Sequence, residues 1–125
     1  MAKVAIIEDE PMIVEMYKFK LEQSGHEVQF AYNGLTGFEL VSNFKPDLIL
    51  LDLMMPEMSG DQLLQKLRAT DWGKSVKVII LTNIGEYDAP LTLNQLNVSR
   101  YVVKAQNTPS EVVQIVDEIL GITGD

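Results

Sequence analysis

Three short and nearly continuous runs of apolar residues are the feature that most limits how this chain can fold. They read VAII (4–7), LILL (48–51) and VKVIIL (76–81). Such runs are typical of central strands in a parallel sheet, because these strands are buried on both faces and do not alternate between apolar and polar residues. A sheet of this kind needs helices on both of its faces. The runs therefore predict an α/β fold.

Two weaker strand patterns and five helix patterns complete the prediction. We predict strands at Lys3–Ile7, Glu27–Ala31, Leu48–Asp52, Val76–Leu81 and Ser99–Val103. We predict helices that begin at Pro11, at about Leu35, after Ser59, at about Glu86 and after Thr108. The third and fifth helices begin with capping boxes, whereas Pro90 interrupts the fourth, Glu86–Leu96. The alternation predicts a doubly wound five-stranded parallel sheet, (βα)5, with right-handed crossovers.

Composition narrows the possible functions. A chain of 125 residues suits one domain. Its net charge of −8 argues against binding nucleic acid or an anionic membrane through a basic face. It has no cysteine and hence no disulfide. The N-terminus lacks a signal-peptide pattern, and no apolar stretch approaches the roughly 18 residues of a membrane span. We expect a soluble, cytoplasmic protein.

Charged and hydroxyl side chains follow the predicted strands where their carboxyl ends meet. Glu8 and Asp9 follow the first strand, Asp52 ends the third, Thr82 the fourth and Lys104 the fifth. Ligands of open α/β sheets collect at this edge. Oxygen ligands without His or Cys favour a hard cation, Mg²⁺ before Ca²⁺. A carboxylate beside Mg²⁺ can attack phosphorus, and a lysine can neutralise the phosphoryl charge.

The motifs IIEDE, LILLDLMMPEMSG, VIILTN and YVVKA occur in this order and in register with the strands. Together they resemble the receiver domain of two-component response regulators over nearly the whole chain. The resemblance implies a flavodoxin-like fold, with a receiver domain at residues 1–121 and a tail or truncated linker at 122–125. It also implies that Asp52 is the phosphoacceptor. Glu8 and Asp9 would bind Mg²⁺ with Asp52, and the Met54 backbone carbonyl would be a further ligand.

The same resemblance implies a switch and its partners. Thr82 would be the switch hydroxyl, Tyr101 the switch aromatic residue and Lys104 the phosphate-binding lysine. The phosphoryl group would come from a sensor histidine kinase or a phosphotransfer protein. Its charge would change the face built by the fourth helix, the fifth strand and the fifth helix, which would signal to a downstream protein or a missing output domain. Apolar Val102 and Val112–Val113 make a homodimer through this face possible.

Two residues depart from the family pattern. Ala105 follows Lys104 where the family commonly has a proline with a cis bond. The sequence leaves open whether the Lys104–Ala105 bond is cis or trans. Asn83 follows Thr82 where a small residue is usual, and its bulk would restrict access of water or a partner to the phosphoryl group. These departures support an alternative function: a pseudo-receiver that binds other proteins without being phosphorylated.

Two enzymatic or cofactor-binding alternatives have less support. A haloacid-dehalogenase-like phosphatase would need a second Asp two residues after Asp52, and Met54 cannot serve as its general acid. A flavodoxin would need a Ser/Thr/Gly-rich phosphate loop, and the acidic sequence EDEPM would repel a flavin phosphate. We therefore expect no independent substrate turnover. His26 is predicted to lie in the turn after Gly25, and Trp72 to pack within the fold.

Overall fold

The computed structural model describes residues 2–122 and contains one five-stranded parallel sheet with four α-helices. The strands are β1 Lys3–Ile7, β2 Glu27–Ala31, β3 Leu48–Leu51, β4 Lys77–Thr82 and β5 Arg100–Val103. The helices are α1 Pro11–Gln23, α2 Gly34–Phe44, α3 Gly60–Arg68 and α4 Pro109–Leu120. The strand order is β2-β1-β3-β4-β5. This is the predicted doubly wound, flavodoxin-like fold. Most of the predicted tail, 123–125, lies outside the described residues.

The apolar runs form the centre of the sheet, as predicted. All four residues of β3 are buried, and so are five of the six residues of β4. Alternate side chains of these strands enter two separate apolar clusters, one on each face of the sheet. Helices α1 and α4 cover one face, and α2 and α3 cover the other. Two covered faces explain why the strand sequences show no alternation.

Local sequence signals explain where the helices begin. Pro11 occupies the first position of α1, where a missing N–H has no consequence. The Asn33 side chain accepts a hydrogen bond from the Thr36 N–H (2.8 Å) at the start of α2. At the start of α4, Thr108 and Glu111 form the predicted capping box, with bonds of 2.8 and 3.2 Å. These local signals therefore determine where α1, α2 and α4 begin.

The predicted fourth α-helix is wrong. The β4–β5 connection (residues 83–99) contains two short 3₁₀ helices instead, Glu86–Asp88 and Leu91–Gln95. Pro90 separates them, and Ala89 before it has extended backbone angles. Proline removes a helical N–H and disfavours the α conformation of the residue before it. The helical pattern of this segment is therefore broken in the middle.

Two smaller interpretations need correction. Val102, Val112 and Val113 are buried in the core, so these valines offer no apolar surface for a homodimer, and the homodimer itself stays a prediction. His26 is a buried residue and not merely a turn residue. Its ring accepts a hydrogen bond from the Ala2 N–H (3.3 Å) and pairs with Asp117 on α4 (2.8 Å). Sequence spacing gives no sign of this contact.

Over residues 2–122, every helix is too short or too polar to cross a bilayer.

The start of α3 packs directly on the end of β3, and this packing requires glycine at position 60. A Cβ atom at Gly60 would lie 2.1 Å from the Asp52 carbonyl oxygen, and the Gly60 N–H donates to the Leu53 carbonyl (3.0 Å). The start of α3 therefore cannot move away from the end of β3 without moving Asp52.

We predict that Gly60→Ala lowers the free energy of unfolding by about 1–3 kcal/mol, because the added methyl group overpacks this contact. Urea denaturation measures the change. Gly85→Ala is the matched control, since a Cβ there would meet nothing closer than the Asp88 side chain at 3.8 Å. Equal effects of the two substitutions would contradict the requirement for glycine at position 60.

Candidate functional site

The carboxyl ends of β1 and β3 place two carboxylates side by side. The Asp52 N–H donates to the Ile7 carbonyl (3.0 Å), which extends the β1–β3 pairing by one residue. The Glu8 N–H donates to the Ala31 carbonyl (3.1 Å) on β2. Glu8 is 2% exposed and Asp52 is 5% exposed. Two buried carboxylates at one edge need a cation nearby.

Lys104 supplies one positive charge to this pair. It follows β5, and its ammonium bonds to Glu8 and to Asp52, with 3.2 Å between its Nζ and the Asp52 Oδ2. Burial acts to lower the pKa of the Lys104 ammonium. The hydrogen bond to Glu8 and the charge of Asp52 outweigh burial, so the pKa is raised. Lys104 therefore stays charged in the site.

A single ammonium does not balance all of the carboxylates. Burial raises the pKa of the Glu8 carboxyl to about 7, although the hydrogen bonds from Lys104 and from the Glu10 N–H act to lower it. Carboxylate oxygens of Glu8, Asp9 and Glu10 lie within 4.8 Å of one another. Asp9 and Glu10 are exposed. Clustered carboxylates favour an additional cation, and an oxygen-only donor set fits Mg²⁺.

The loop after β3 closes one side of the site. The Met54 N–H donates to the Asp52 Oδ1 (3.2 Å), which orients this carboxylate, and the Met54 side chain is exposed. A cavity of about 210 Å³ opens at this point. Its lining includes Asp9, Asp52, Met54, Thr82, Asn83 and Lys104. The cavity is therefore bounded by carboxylates, a hydroxyl and an ammonium.

Thr82 and Tyr101, the two predicted switch residues, meet at Ile84. The Thr82 hydroxyl oxygen accepts from the Ile84 N–H (3.4 Å), and the Tyr101 hydroxyl donates to the Ile84 carbonyl (2.7 Å). Thr82 is buried and Tyr101 is half-buried. Burial raises the pKa of the Tyr101 hydroxyl, so it remains a donor. Sequence reasoning missed Ile84 because its role comes from backbone atoms, which carry no sequence signal.

The departure at Ala105 does not remove Lys104 from the site. The structure contains no cis peptide bond among residues 2–122, so the Lys104–Ala105 bond is trans. Lys104 begins a short 3₁₀ turn, Lys104–Gln106. The side-chain amide of Asn107 donates to the Val103 carbonyl (3.2 Å). With this trans turn, the ammonium still contacts Asp52. The structure thus brings Glu8, Asp52, Thr82 and Lys104 to one edge of the sheet. Tyr101 lies on β5 and is bonded to Ile84.

Comparisons with known proteins agree with this architecture. The family model described as response regulator receiver domain matches residues 4–117. The phosphate regulon transcriptional regulatory protein PhoB of Pseudomonas aeruginosa is 33% identical over 121 residues, covering 97% of this chain and 52% of that protein. The polar-differentiation response regulator DivK of Brucella anthropi is 29% identical over 122 residues, covering 98% of this chain and 96% of that protein. The chain spans 36%, 52% and 44% of the first three curated relatives.

Solved structures share the fold. A CheY-like receiver domain protein from Methanospirillum hungatei JF-1 superposes with a TM-score of 0.88 at 24% identity, covering 97% of this chain and 94% of that one. The chemotaxis response regulator CheY4 of Vibrio cholerae gives 0.87 at 23% identity, covering 95% and 98%. At these identities the structures support the fold alone. The match of the family model along most of the sequence shows that this chain belongs to the response regulator receiver domain family of two-component signal transduction.

Proposed function

We propose that this domain accepts a phosphoryl group on Asp52 from a phosphohistidine of a sensor kinase or phosphotransfer protein. One observation supports this most directly. The Asp52 carboxylate is buried but borders an open cavity, with the Lys104 ammonium 3.2 Å away and an acidic cluster beside it. A carboxylate used only to cap a turn needs neither neighbour. The family is a signalling family and not one of metabolic enzymes.

The proposed transfer is a displacement at phosphorus. An Asp52 carboxylate oxygen attacks the phosphorus atom, the bond from phosphorus to the donor imidazole nitrogen breaks, and the imidazole keeps the electron pair and takes up a proton. Lys104 moves its hydrogen bond from the Asp52 carboxylate to a phosphoryl oxygen. The Thr82 hydroxyl donates to another phosphoryl oxygen. Positioning and charge neutralisation are the main requirements of such a transfer.

Glu8, Asp9 and Asp52 are the side chains that would hold Mg²⁺, and the Met54 backbone carbonyl is the fourth proposed ligand. When bound, the ion neutralises phosphoryl oxygens and leaves coordination positions for them. The excess of carboxylates over ammonium groups in the site supports this assignment. A cytoplasmic location is consistent with this function.

The proposed output starts at Ile84. When Thr82 turns toward the phosphoryl group it releases the Ile84 N–H, and the Tyr101 bond to the Ile84 carbonyl then changes as well. The β4–β5 connection and β5 border a groove of about 590 Å³. Tyr87 is fully exposed at this groove and Leu91 is 83% exposed. A downstream protein or an output domain would bind here, without direct nucleic-acid binding by this domain.

We predict that acetyl phosphate adds one phosphoryl group to the wild-type protein in the presence of Mg²⁺, and that Asp52→Asn abolishes the addition because the nucleophile is lost. Intact-mass spectrometry measures both. Asp71→Asn, which removes an exposed aspartate, is the control and should be phosphorylated normally. An unmodified wild type would favour the phosphorylation-independent interaction module.

We predict that Mg²⁺ stabilises the unphosphorylated protein, because it binds the folded site and relieves repulsion among the carboxylates. At a concentration ten times the Kd, the free energy of unfolding rises by about 1.4 kcal/mol. Urea denaturation with and without Mg²⁺ measures the gain. Asp9→Asn should reduce it, whereas Asp71→Asn should not. The same gain in Asp9→Asn would contradict the proposed ligand set.

We predict that Asn83→Ala shortens the lifetime of the phosphoryl group, because Asn83 lines the cavity beside Thr82 and its side chain limits access of water. A decrease of about 0.7 kcal/mol in the hydrolysis barrier corresponds to an about threefold faster loss. The time course of intact mass after removal of acetyl phosphate measures it. Asn43→Ala, at the exposed end of α2, is the control. An unchanged or longer lifetime would show that Asn83 does not restrict water.

A further inference from the structure

Arg68, the last residue of α3, joins two loops through backbone carbonyls. Its Nε donates to Leu96 (2.8 Å) and its Nη2 donates to Asn97 (3.0 Å), both at the end of the β4–β5 connection. Its Nη1 donates to Gly73 (2.8 Å) and to Val76 (2.7 Å), both in the α3–β4 loop (residues 69–76). One side chain thus ties these two loops together.

The guanidinium group is suited to this position in a way that other cations are not. Over residues 2–122, no ion pair connects Arg68 to a carboxylate. Burial lowers its pKa, but a guanidinium remains charged in proteins. Its planar fork holds several acceptors at fixed angles, whereas a lysine ammonium is a single point charge. The carbonyl dipoles of two loops therefore take the place of a counter-ion.

The opposite end of the β4–β5 connection is tied to the phosphorylation site. Ile84 bonds to Thr82 through its N–H and to Tyr101 through its carbonyl. Between Ile84 and Leu96 the connection contains only the two short 3₁₀ helices, and Leu93 is its buried residue. The connection therefore has one anchor at the carboxyl edge of the sheet and a second anchor at Arg68.

We infer that Arg68 is a positioning residue that transmits the response at Asp52, through the β4–β5 connection, to the α3–β4 loop at the opposite edge of the sheet. This inference rests on the proposed function. When Thr82 releases the Ile84 N–H, the connection shifts relative to β4. The carbonyls of the connection that Arg68 holds shift with it, and the rigid guanidinium fork carries the displacement to the α3–β4 loop.

The chain contains a natural reporter for this movement. Trp72 is its only tryptophan and lies in the α3–β4 loop, next to Gly73. The Lys45 ammonium lies 4.3 Å from the centre of its ring. A displacement of the Gly73 carbonyl changes the distance between this charge and the indole. Trp72 fluorescence therefore reports on the far end of the proposed path without any added label.

The experiment compares Trp72 emission and amide hydrogen exchange before and after phosphorylation with acetyl phosphate and Mg²⁺. In the wild type, the emission changes, and exchange changes in both the β4–β5 connection and the α3–β4 loop. In Arg68→Met the emission change is lost, while intact mass still shows a phosphoryl group on Asp52. Arg68→Lys keeps the charge without the fork and gives a reduced change. Lys66→Met removes a charge from the same helix, where the ammonium lies 4.7 Å from the centre of the Phe38 ring, and this variant keeps the full change.

Several results would overturn the inference. A full emission change in Arg68→Met would show that the guanidinium only holds the fold together. Exchange changes confined to the β4–β5 connection of the wild type would exclude the path even if Arg68→Met did not fold. Intact mass separates these failures from a failure of the proposed function. If Asp52 of the wild type takes up no phosphoryl group, the proposed function fails and the inference fails with it.

Discussion

The contact between Lys104 and two buried carboxylates is the interaction on which the site depends. Removing a charge from water is costly, so Glu8 and Asp52 remain buried only because an ammonium reaches both of them. This ammonium comes from the end of β5, beyond the neighbouring strand β4. The parallel pairing of β3 with β4 and of β4 with β5 must therefore be in register for Lys104 to arrive at Asp52. The pairing of the strands therefore determines whether the charged groups of the site meet.

The compensation at this edge is incomplete, and this makes the site responsive. One ammonium faces two buried carboxylates, and the carboxylates of Asp9 and Glu10 lie close by. Burial holds the Glu8 pKa at about 7 in spite of Lys104. A site that is short of positive charge favours a divalent cation. Under the proposed function, Lys104 would then be available for a phosphoryl oxygen. Complete neutralisation by protein groups would stabilise the resting state and weaken the binding of both the cation and the phosphoryl group.

Sequence reasoning succeeded where burial determines the residue type and failed where backbone atoms do the binding. Apolar runs predicted the three central strands, because a strand covered on both faces must be apolar throughout. Weaker patterns predicted the two edge strands, and all five predictions are correct to within about one residue at the strand ends. Position along these strands also predicted which polar residues share the carboxyl edge. The predicted helix Glu86–Leu96 was wrong because Pro90 breaks it in the middle. Ile84 and Arg68 escaped notice because the atoms that they bind, or offer, are main-chain groups that any residue would supply.

The two anchors of the β4–β5 connection differ in strength, and the difference determines which end moves first. Tyr101 holds Ile84 through one neutral hydrogen bond, which contributes about 1 kcal/mol. Arg68 holds the other end through bonds from a charged group, each contributing about 1.5–3 kcal/mol. A change at Thr82 therefore releases the end near the site before the end at Arg68. Because the bonds of Arg68 to Leu96 and Asn97 hold, the guanidinium shifts together with this end of the connection. The α3–β4 loop is bonded to the same guanidinium and shifts with it.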